Sequence, residues 1–383
     1  MEANNLSYWE AKSLIPQADI FILGGGMVGL STAISLKEKN SKLRVCVLEK
    51  FVIPQGASSK NAGFACFGSV SEILDDLRIS PESEVIALMK SRWEGLQILR
   101  SRLGDTAIGY DPVGGFEVFR EKDQSTYFNC IDKIDYLNKI VKDQFNSNNC
   151  YSILDENHRN SSLKPVKGFI YNRLEGLIDT GKMLNALIQK AKDLSITLLY
   201  GISIDQIIQR DNDEKIYLKS NMDWVIPVSK LVVATNGFTP QLLPNLEIVA
   251  VRNQVLVTNP IQGLQLNGGF HLNKGYVYFR NINNRILIGG GRNIDFQGET
   301  THQFGTTPII LDYLKELMKE LFHIDRPYQY DYSWSGILGV GASKTPLVKR
   351  LNQNLVIGVR LGGMGVALSS KIGVELADLI LDS

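Results

Sequence analysis

One glycine pattern constrains the fold of this chain more than any other feature. Gly24, Gly26 and Gly29 follow the largely apolar run 18–23 and open a helical pattern over 27–39. Gly24 allows a tight turn, Gly26 lets a pyrophosphate approach the backbone, and Gly29 lets the helix lie close to the strand. The helix N-terminus also offers unpaired N–H groups to phosphates. The pattern predicts a βαβ unit that binds a dinucleotide.

The residues after this unit indicate which dinucleotide binds. Glu49 ends the second predicted strand, where a carboxylate accepts hydrogen bonds from ribose hydroxyls and repels a 2′-phosphate. An NADP-type ligand is therefore disfavoured. The small, polar segment 56–64 has donors for a second approach to phosphate and ribityl groups, and the later strand 231–237 ends in small residues. These two segments favour FAD over NAD.

Composition and charge exclude several other classes of protein. The 383 residues carry 41 basic and 40 acidic side chains, so no net charge favours nucleic acid or an anionic membrane. No run of about 18 apolar residues predicts a membrane span. Four scattered cysteines and four scattered histidines form neither a disulfide framework nor a metal-binding pattern. We therefore expect a cytoplasmic globular protein without a metal site.

The order of predicted elements indicates two domains built from interrupted segments. The first βαβ unit and a final strand and helix over 354–381 are typical of an α/β cofactor domain, and 249–290 is rich in short strands. We predict a Rossmann-like FAD/NAD(P)-binding domain with an α+β cap domain that carries a mixed or antiparallel sheet. The FAD-binding domain is expected to comprise 1–80, 160–240 and 340–383, and the substrate-binding domain 81–159 and 241–339.

Longer stretches of the sequence resemble one flavoprotein family. They include ADIFILGGGMVGLSTAISL at 18–36, GASSKNAGF at 56–64, LVVATNG at 231–237 and NLVIGVRLGGMGVALSSKIGVELADLI at 354–380. In these stretches and their order the chain resembles the D-amino-acid-oxidase-type (DAO) FAD-dependent oxidoreductases, nearest to glycine oxidase and gamma-glutamylputrescine oxidase. The resemblance is weakest over 80–165.

The resemblance implies a noncovalent FAD site. No cysteine lies beyond Cys150, whereas in some sarcosine oxidases a cysteine of the C-terminal half bonds to flavin. Residues 58–60 are expected at the pyrophosphate, 61–64 at the flavin ring, and 362–366 at its pyrimidine end. The residues expected at the cofactor are Gly24, Gly26, Met27, Val28, Gly29, Glu49, Lys50, Ser58, Ser59, Lys60, Asn61, Ala62, Gly63, Phe64, Ile204, Ala234, Thr235, Asn236, Gly237, Arg360, Gly362, Gly363, Met364, Gly365 and Val366.

The substrate side is less clearly specified. Tyr276 falls near a substrate-contacting tyrosine of glycine oxidase, and Arg280 and Arg360 are candidates to hold an anionic group of the substrate. Each has a structural alternative: a sheet aromatic, a solvated arginine and a salt-bridged strand-end arginine. Arg252 and Gln254 share a strand face and are candidates to contact substrate or flavin.

One position departs from the family pattern. Leu338 stands where glycine oxidase-type sequences carry the arginine that binds the substrate carboxylate. A leucine cannot pair with a carboxylate, which argues against a simple amino-acid clamp unless Arg280, Lys344 or Arg360 replaces it. The departure agrees better with the gamma-glutamylputrescine branch, whose substrate presents an amine on a long chain.

The resemblance implies oxidation of a C–N bond in a small-molecule amine or amino acid. A hydride passes to flavin N5, the imine hydrolyses, and the electrons pass to O2 or another acceptor. Two alternatives stay open. One is a 2-hydroxy-acid dehydrogenase of the same fold, and the other is a flavin-binding protein without amine turnover.

Overall fold

The computed structural model describes residues 6–154, 161–210, 213–323 and 328–382, which contain both strands and helices. The strands are β1 Ile20–Leu23, β2 Val45–Glu49, β3 Phe64–Ala65, β4 Gly115–Phe119, β5 Tyr151–Leu154, β6 Gly168–Asn172, β7 Gly176–Leu177, β8 Thr197–Tyr200, β9 Ile204–Gln209, β10 Ile216–Ser220, β11 Val225–Val228, β12 Lys230–Val233, β13 Val249–Thr258, β14 Gly269–Leu272, β15 Val277–Ile282, β16 Arg285–Gly290, β17 Tyr330–Val340, β18 Leu347–Asn352 and β19 Leu355–Val359. The α-helices are α1 Met27–Lys39, α2 Ala57–Lys60, α3 Val70–Ile79, α4 Glu82–Leu103, α5 Asp105–Ile108, α6 Gln124–Ile131, α7 Ile134–Phe145, α8 Thr180–Asp193, α9 Pro308–Leu321 and α10 Gly365–Leu381.

A six-stranded sheet contains the predicted βαβ unit. Its order is β18–β19–β12–β1–β2–β8, and all neighbours are parallel except β18 and β19. Every residue of β1 and β2 is buried, because helices α1, α8 and α10 cover one face and the antiparallel sheet β11–β10–β9 covers the other. The predicted Rossmann-like fold is confirmed.

The second large sheet is mixed and has eight strands. Its order is β17–β13–β16–β15–β14–β4–β6–β5, with only the β14–β4 pair parallel. On one face Phe270, Phe279 and Ile288 pack with Leu314 of α9 in a closed core. The opposite face turns toward the nucleotide-binding sheet, and the site described below lies between them.

Helix ends follow local sequence signals. Asp179, expected as an N-cap, accepts a hydrogen bond at 2.9 Å from the amide of Lys182 and begins α8. Pro308 occupies the first position of α9, where its missing N–H has no intrahelical partner to lose. Within the described ranges, no helix combines the length and apolar character needed to cross a membrane.

The sheet pairing bears on the expected domain boundaries. Strand β6, Gly168–Asn172, pairs with β4 and β5 in the eight-stranded sheet, although 160–240 was assigned to the FAD-binding domain. The partner strands β4 and β5 lie in a part of the sequence with few clear patterns, so little in the sequence indicated that β6 pairs with them. We propose that the substrate-binding domain extends through Asn172.

Candidate functional site

A cavity of about 630 Å3 lies between the two large sheets. Its walls come from the end of β1, the start of α1, helix α2 with the loop that follows, the inward face of β17, and the start of α10. A volume of this order is typical of sites for cofactors and small ligands. The cavity therefore brings together segments from both ends of the chain.

The start of α1 forms one end of the cavity. The amide of Met27 donates to Ser58 Oγ at 2.9 Å, which fixes α2 against the glycine turn. A Cβ built on Gly26 would lie 2.6 Å from Ser58 Oγ, so only glycine leaves this approach open. The first turn of a helix has amides without intrahelical partners, and Gly26 and Val28 line the cavity there. The local chemistry suits a phosphate group.

Glu49 lies beside this turn at the end of β2. Its Oε2 accepts from the amide of Gly25 at 2.8 Å and its Oε1 from the amide of Phe51 at 3.1 Å. Burial raises the pKa of Glu49 above its usual value, and these backbone donors oppose the shift. A carboxylate held in this way retains acceptor capacity toward the cavity, as ribose hydroxyls require.

The opposite end of the cavity is formed by Phe64, Leu338 and the turn before α10. Gly362 and Gly363 have φ values of 56° and 89°, and residues 362–367 line the cavity. The 17-residue helix α10 begins at Gly365, so its positive end faces the same space. This end can stabilise negative charge on a bound ring.

Most of the residues expected at the cofactor line this one cavity. They are Gly24, Gly26, Met27, Val28, Glu49, Lys50, Ser58, Lys60, Asn61, Ala62, Phe64, Ile204, Ala234, Thr235, Asn236, Gly362, Gly363, Met364, Gly365 and Val366. The structure thus brings them together, and their contacts with a cofactor stay a prediction.

Five other residues expected at the cofactor do not line the cavity: Gly29, Gly237, Ser59, Gly63 and Arg360. A Cβ on Gly29 would lie 1.9 Å from a backbone oxygen of the glycine turn, and one on Gly237 2.6 Å from a backbone oxygen of β17. These two glycines permit close packing behind the cavity. Ser59 Oγ is buried and has no hydrogen-bond partner among the described residues.

Arg280 was expected to hold substrate, but its side chain supports the loop after α2 instead. Its Nη1 donates to the carbonyl oxygens of Ala62 and Gly63 at 3.1 Å and of Ile178 at 2.8 Å. Burial lowers the pKa of Arg280 to about 10. Arg280 does not line the cavity, because strand β15 turns its side chain onto this loop.

Arg360 is likewise directed away from the cavity. It is 9% exposed with φ of 65°, and its guanidinium donates to the carbonyl oxygens of Thr345 at 3.0 Å and Glu247 at 3.3 Å. Its backbone amide donates to Asn236 Oδ1 at 3.0 Å. These contacts hold Arg360 between loops, and they do not support the expected role beside flavin or an anionic substrate.

Two tyrosines follow the expectation for the substrate side more closely. Tyr276 lines the cavity at its mouth, where it is 38% exposed, and Tyr278 lines it further inside. A Cβ on Gly289 would lie 2.6 Å from the Tyr278 ring, so this glycine makes room for the phenol. Burial raises the pKa of Tyr278, which keeps the phenol protonated as a hydrogen-bond donor.

Comparison with known proteins decides the family. The sequence model of the FAD dependent oxidoreductase family (DAO) matches residues 19–379. The chain belongs to this family. It is 23% identical to the probable oxidoreductase OrdL of Haemophilus influenzae, over 96% of this chain and 84% of that protein. It is also 23% identical to gamma-glutamylputrescine oxidoreductase of Escherichia coli, over 94% and 83%.

A solved structure agrees in fold with this FAD-dependent oxidoreductase. Glycine oxidase from Geobacillus kaustophilus superposes with a TM-score of 0.75 and 19% identity, covering 96% of this chain and 95% of that one. The glycine cradle at Gly26, the buried Glu49 and the helix start at Gly365 match what FAD needs at its phosphates, ribose and ring. The expected cofactor, FAD, and the expected family are confirmed.

Charged residues of α3 and α4 form part of the oxidoreductase cavity that the sequence interpretation missed. Arg92, 4% exposed, donates to Glu72 Oε1 at 3.2 Å, and Lys344 Nζ lies 2.7 Å from Asp76 Oδ1. Burial alone would raise the pKa of Glu72, but Arg92 and Lys344 outweigh it and lower the pKa to about 2. Of the arginine substitutes considered for Leu338, only Lys344 lines the cavity.

His271 also lines the oxidoreductase cavity and was not expected there. Its ring lies 5.0 Å from that of Phe64, and its Nε2 is 3.7 Å from Glu175 Oε2. Burial lowers the pKa of His271 to about 4, so the imidazole is neutral at pH 7. Strand pairing places Tyr278 directly beside His271, and no local signal in the sequence indicated this position.

Arg252 and Gln254 lie on the other face of β13. Arg252 pairs with the buried Glu299 at 2.8 Å, and Gln254 donates to Glu299 at 2.8 Å and to Thr307 at 2.9 Å. Neither side chain lines the cavity, and both are engaged on the face of β13 away from it. Asn253, between them, faces the cavity instead.

Proposed function

We propose that this FAD-dependent oxidoreductase oxidises a C–N bond of an amine or amino acid. One observation carries the proposal: the wall formed by Tyr278, His271 and Phe64 disfavours a buried cation. The pKa of His271 falls from 6.5 to about 4 there, and burial is the largest cause. A substrate ammonium placed against this wall would also lose hydration, so we expect the wall to favour binding of the neutral amine.

The neutral amine is also the form that can lose a hydride. When bound, FAD supplies the hydride acceptor at N5. The substrate carbon loses a hydride with its electron pair, and the nitrogen lone pair forms the C=N bond. Water then converts the imine to a carbonyl compound and ammonia, or a primary amine where the substrate is a secondary amine. The protein residues orient the substrate and exclude its charged form. The aromatic wall and the donor at Tyr278 are suited to both tasks.

The remaining features of the site fit the same function. A Cβ built on Gly363 would lie 3.7 Å from the Leu338 side chain. Leu338 therefore contributes apolar surface at the end of the cavity expected to hold the flavin. The cofactor is held noncovalently in this proposal, because burial raises the pKa of the nearby Cys66 thiol to about 12 and keeps it protonated. Acid precipitation of the holoenzyme should release all yellow colour into the supernatant.

The test is anaerobic reduction of the flavin, followed at its visible absorbance band. The panel comprises primary and secondary amines, D- and L-amino acids, sarcosine and 2-hydroxy acids. We expect bleaching by one or more amines or amino acids, at a rate that rises with pH as the neutral form accumulates. Bleaching by hydroxy acids alone would show a 2-hydroxy-acid dehydrogenase, and bleaching by dithionite alone a flavin-binding protein without turnover.

A further inference from the structure

Six cationic side chains line the cavity, and two of them, Lys50 and Lys60, are expected at the cofactor. Of the other four, all but Arg292 are paired with a carboxylate of the described residues. Arg92 meets Glu72 at 3.2 Å, Lys344 meets Asp76 at 2.7 Å, and Lys274 meets Asp75 at 2.5 Å. Arg292 also lines the cavity, and no carboxylate or hydrogen-bond acceptor of the described residues reaches its guanidinium. This residue directly follows the glycines 289–291.

Two aromatic rings hold Arg292 in place. Its guanidinium carbon lies 4.9 Å from the centre of the Phe296 ring and 5.9 Å from that of Tyr276. Ring faces attract a guanidinium and leave its N–H donors free at the edge. Both rings are exposed, and Tyr276 lines the cavity. The Arg292 guanidinium is thus held in position, while its N–H groups have no hydrogen-bond acceptor among the described residues.

The carboxylate of Glu299 acts electrostatically on Arg292 but is hydrogen-bonded to other residues. Glu299 is 1% exposed and bonds to Arg252, Gln254 and Thr307 on the far side of β13. Burial lowers the pKa of Arg292 below its usual value, so the fold stabilises the charge less than water does. A partly desolvated cation without a partner costs free energy that a bound anion recovers.

We propose that Arg292 binds a carboxylate of the substrate, in place of the arginine that is absent at Leu338. The inference rests on the proposed function and deepens it, because it names the substrate class as an amine that carries a carboxylate. The anion would lie at the wall of Tyr276 and Phe296, at the end of β16, and the reacting amine would lie toward Tyr278 and Phe64. A planar guanidinium suits bidentate pairing with a carboxylate.

The test measures binding to the oxidised holoenzyme and needs no turnover. Benzoate and its neutral isostere benzamide are titrated while the visible flavin spectrum is recorded, with calorimetry as a second readout. We expect Arg292→Met to weaken benzoate binding at least ~30-fold and to leave benzamide binding unchanged. Arg292→Lys should recover part of the affinity, since charge is retained but bidentate geometry is lost.

Arg285→Met is the matched control, because Arg285 begins β16, the strand that ends just before Arg292, and contacts Thr258 and Asp331 outside the cavity. Stoichiometric FAD in each purified variant shows that the fold is intact. Equal benzoate affinity in wild type and Arg292→Met overturns the proposal, as does equal affinity of the wild type for benzoate and benzamide.

The outcomes separate this inference from the proposed function. If no amine reduces the flavin but benzoate binds through Arg292, the anion site stands and the C–N oxidation fails. If amines reduce the flavin with the same kcat/KM in wild type and Arg292→Met, whether or not they carry a carboxylate, the oxidation stands and the anion site fails. Comparing α-amino acids with amines that carry a remote carboxylate then locates the anion relative to the reacting carbon.

Discussion

Replacing Arg280 distinguishes a structural arginine from a substrate-binding one. Its Nη1 reaches three carbonyl oxygens at 2.8–3.1 Å, in Ala62, Gly63 and Ile178. In Arg280→Met these acceptors lose a charged donor, and a hydrogen bond to a charged group contributes about 1.5–3 kcal/mol. One nitrogen with two hydrogens forms at most two full bonds, so we expect a loss of about 3.5 kcal/mol, near the lower end of the range for two such bonds.

The expected change in melting temperature follows from the length of the chain. An unfolding entropy of about 2.1 cal/mol/K per residue gives roughly 0.8 kcal/mol/K for 383 residues. A loss of about 3.5 kcal/mol then lowers Tm by about 4 °C. Since Ala62 lines the cavity, we also expect FAD affinity to fall about tenfold, which corresponds to about 1.4 kcal/mol.

Thermal unfolding of the holoenzyme and apoenzyme, together with FAD titration, measures both effects. Arg280→Lys serves as the matched variant, because a lysine can retain the charge and one of the bonds. The reasoning would be refuted by unchanged Tm and FAD affinity in Arg280→Met. A KM increase confined to carboxylate-bearing substrates would then return Arg280 to the substrate site.

Three further predictions follow from the same structure. Gly26→Val should abolish FAD binding, since its Cβ would lie 2.6 Å from Ser58 Oγ, and the purified protein should lack the visible flavin band. Gly289→Ala should displace the Tyr278 ring, 2.6 Å from the new Cβ, and lower kcat while FAD content stays stoichiometric. Burial raises the pKa of Glu117 from 4.5 to about 7, with Ser71 and Ser69 opposing, so the folded state retains a proton that the unfolded state loses. Stability should therefore fall by about 3 kcal/mol between pH 4.5 and pH 7, and Glu117→Gln should remove most of that fall in denaturant titrations at pH 5 and pH 8.

The nucleotide end of the site was predictable because its requirements are local. A turn that admits a pyrophosphate needs Gly24 and Gly26 at fixed spacing, followed by a helix and then by the carboxylate of Glu49. Each of these lies within one βαβ unit, so the pattern can be read from consecutive residues. The fold class and the FAD cofactor followed from the same patterns together with the family resemblance.

The substrate wall was predictable only in part because the sheet assembles it from distant strands. Pairing places Tyr278, His271 and Glu117 side by side across β15, β14 and β4. Their separation in the chain conceals this row, and β4 lies in the stretch with weak signals. The resemblance to glycine oxidase pointed to Tyr276, which lines the cavity, whereas nothing local distinguishes His271 from an ordinary strand histidine.

The arginines of this region show the physical limit most clearly. Four arginines donate hydrogen bonds to acceptors that lie 15 to 218 residues away in the chain: Arg92, Arg252, Arg280 and Arg360. Residue type specifies that an arginine will donate, but the fold decides which acceptor it reaches. Arg280 and Arg360 were therefore assigned to the substrate from the sequence, although both donate hydrogen bonds to backbone carbonyl oxygens in the folded protein. Arg292 is the converse case, because its significance lies in the lack of a protein partner among the described residues, which only the assembled cavity can reveal.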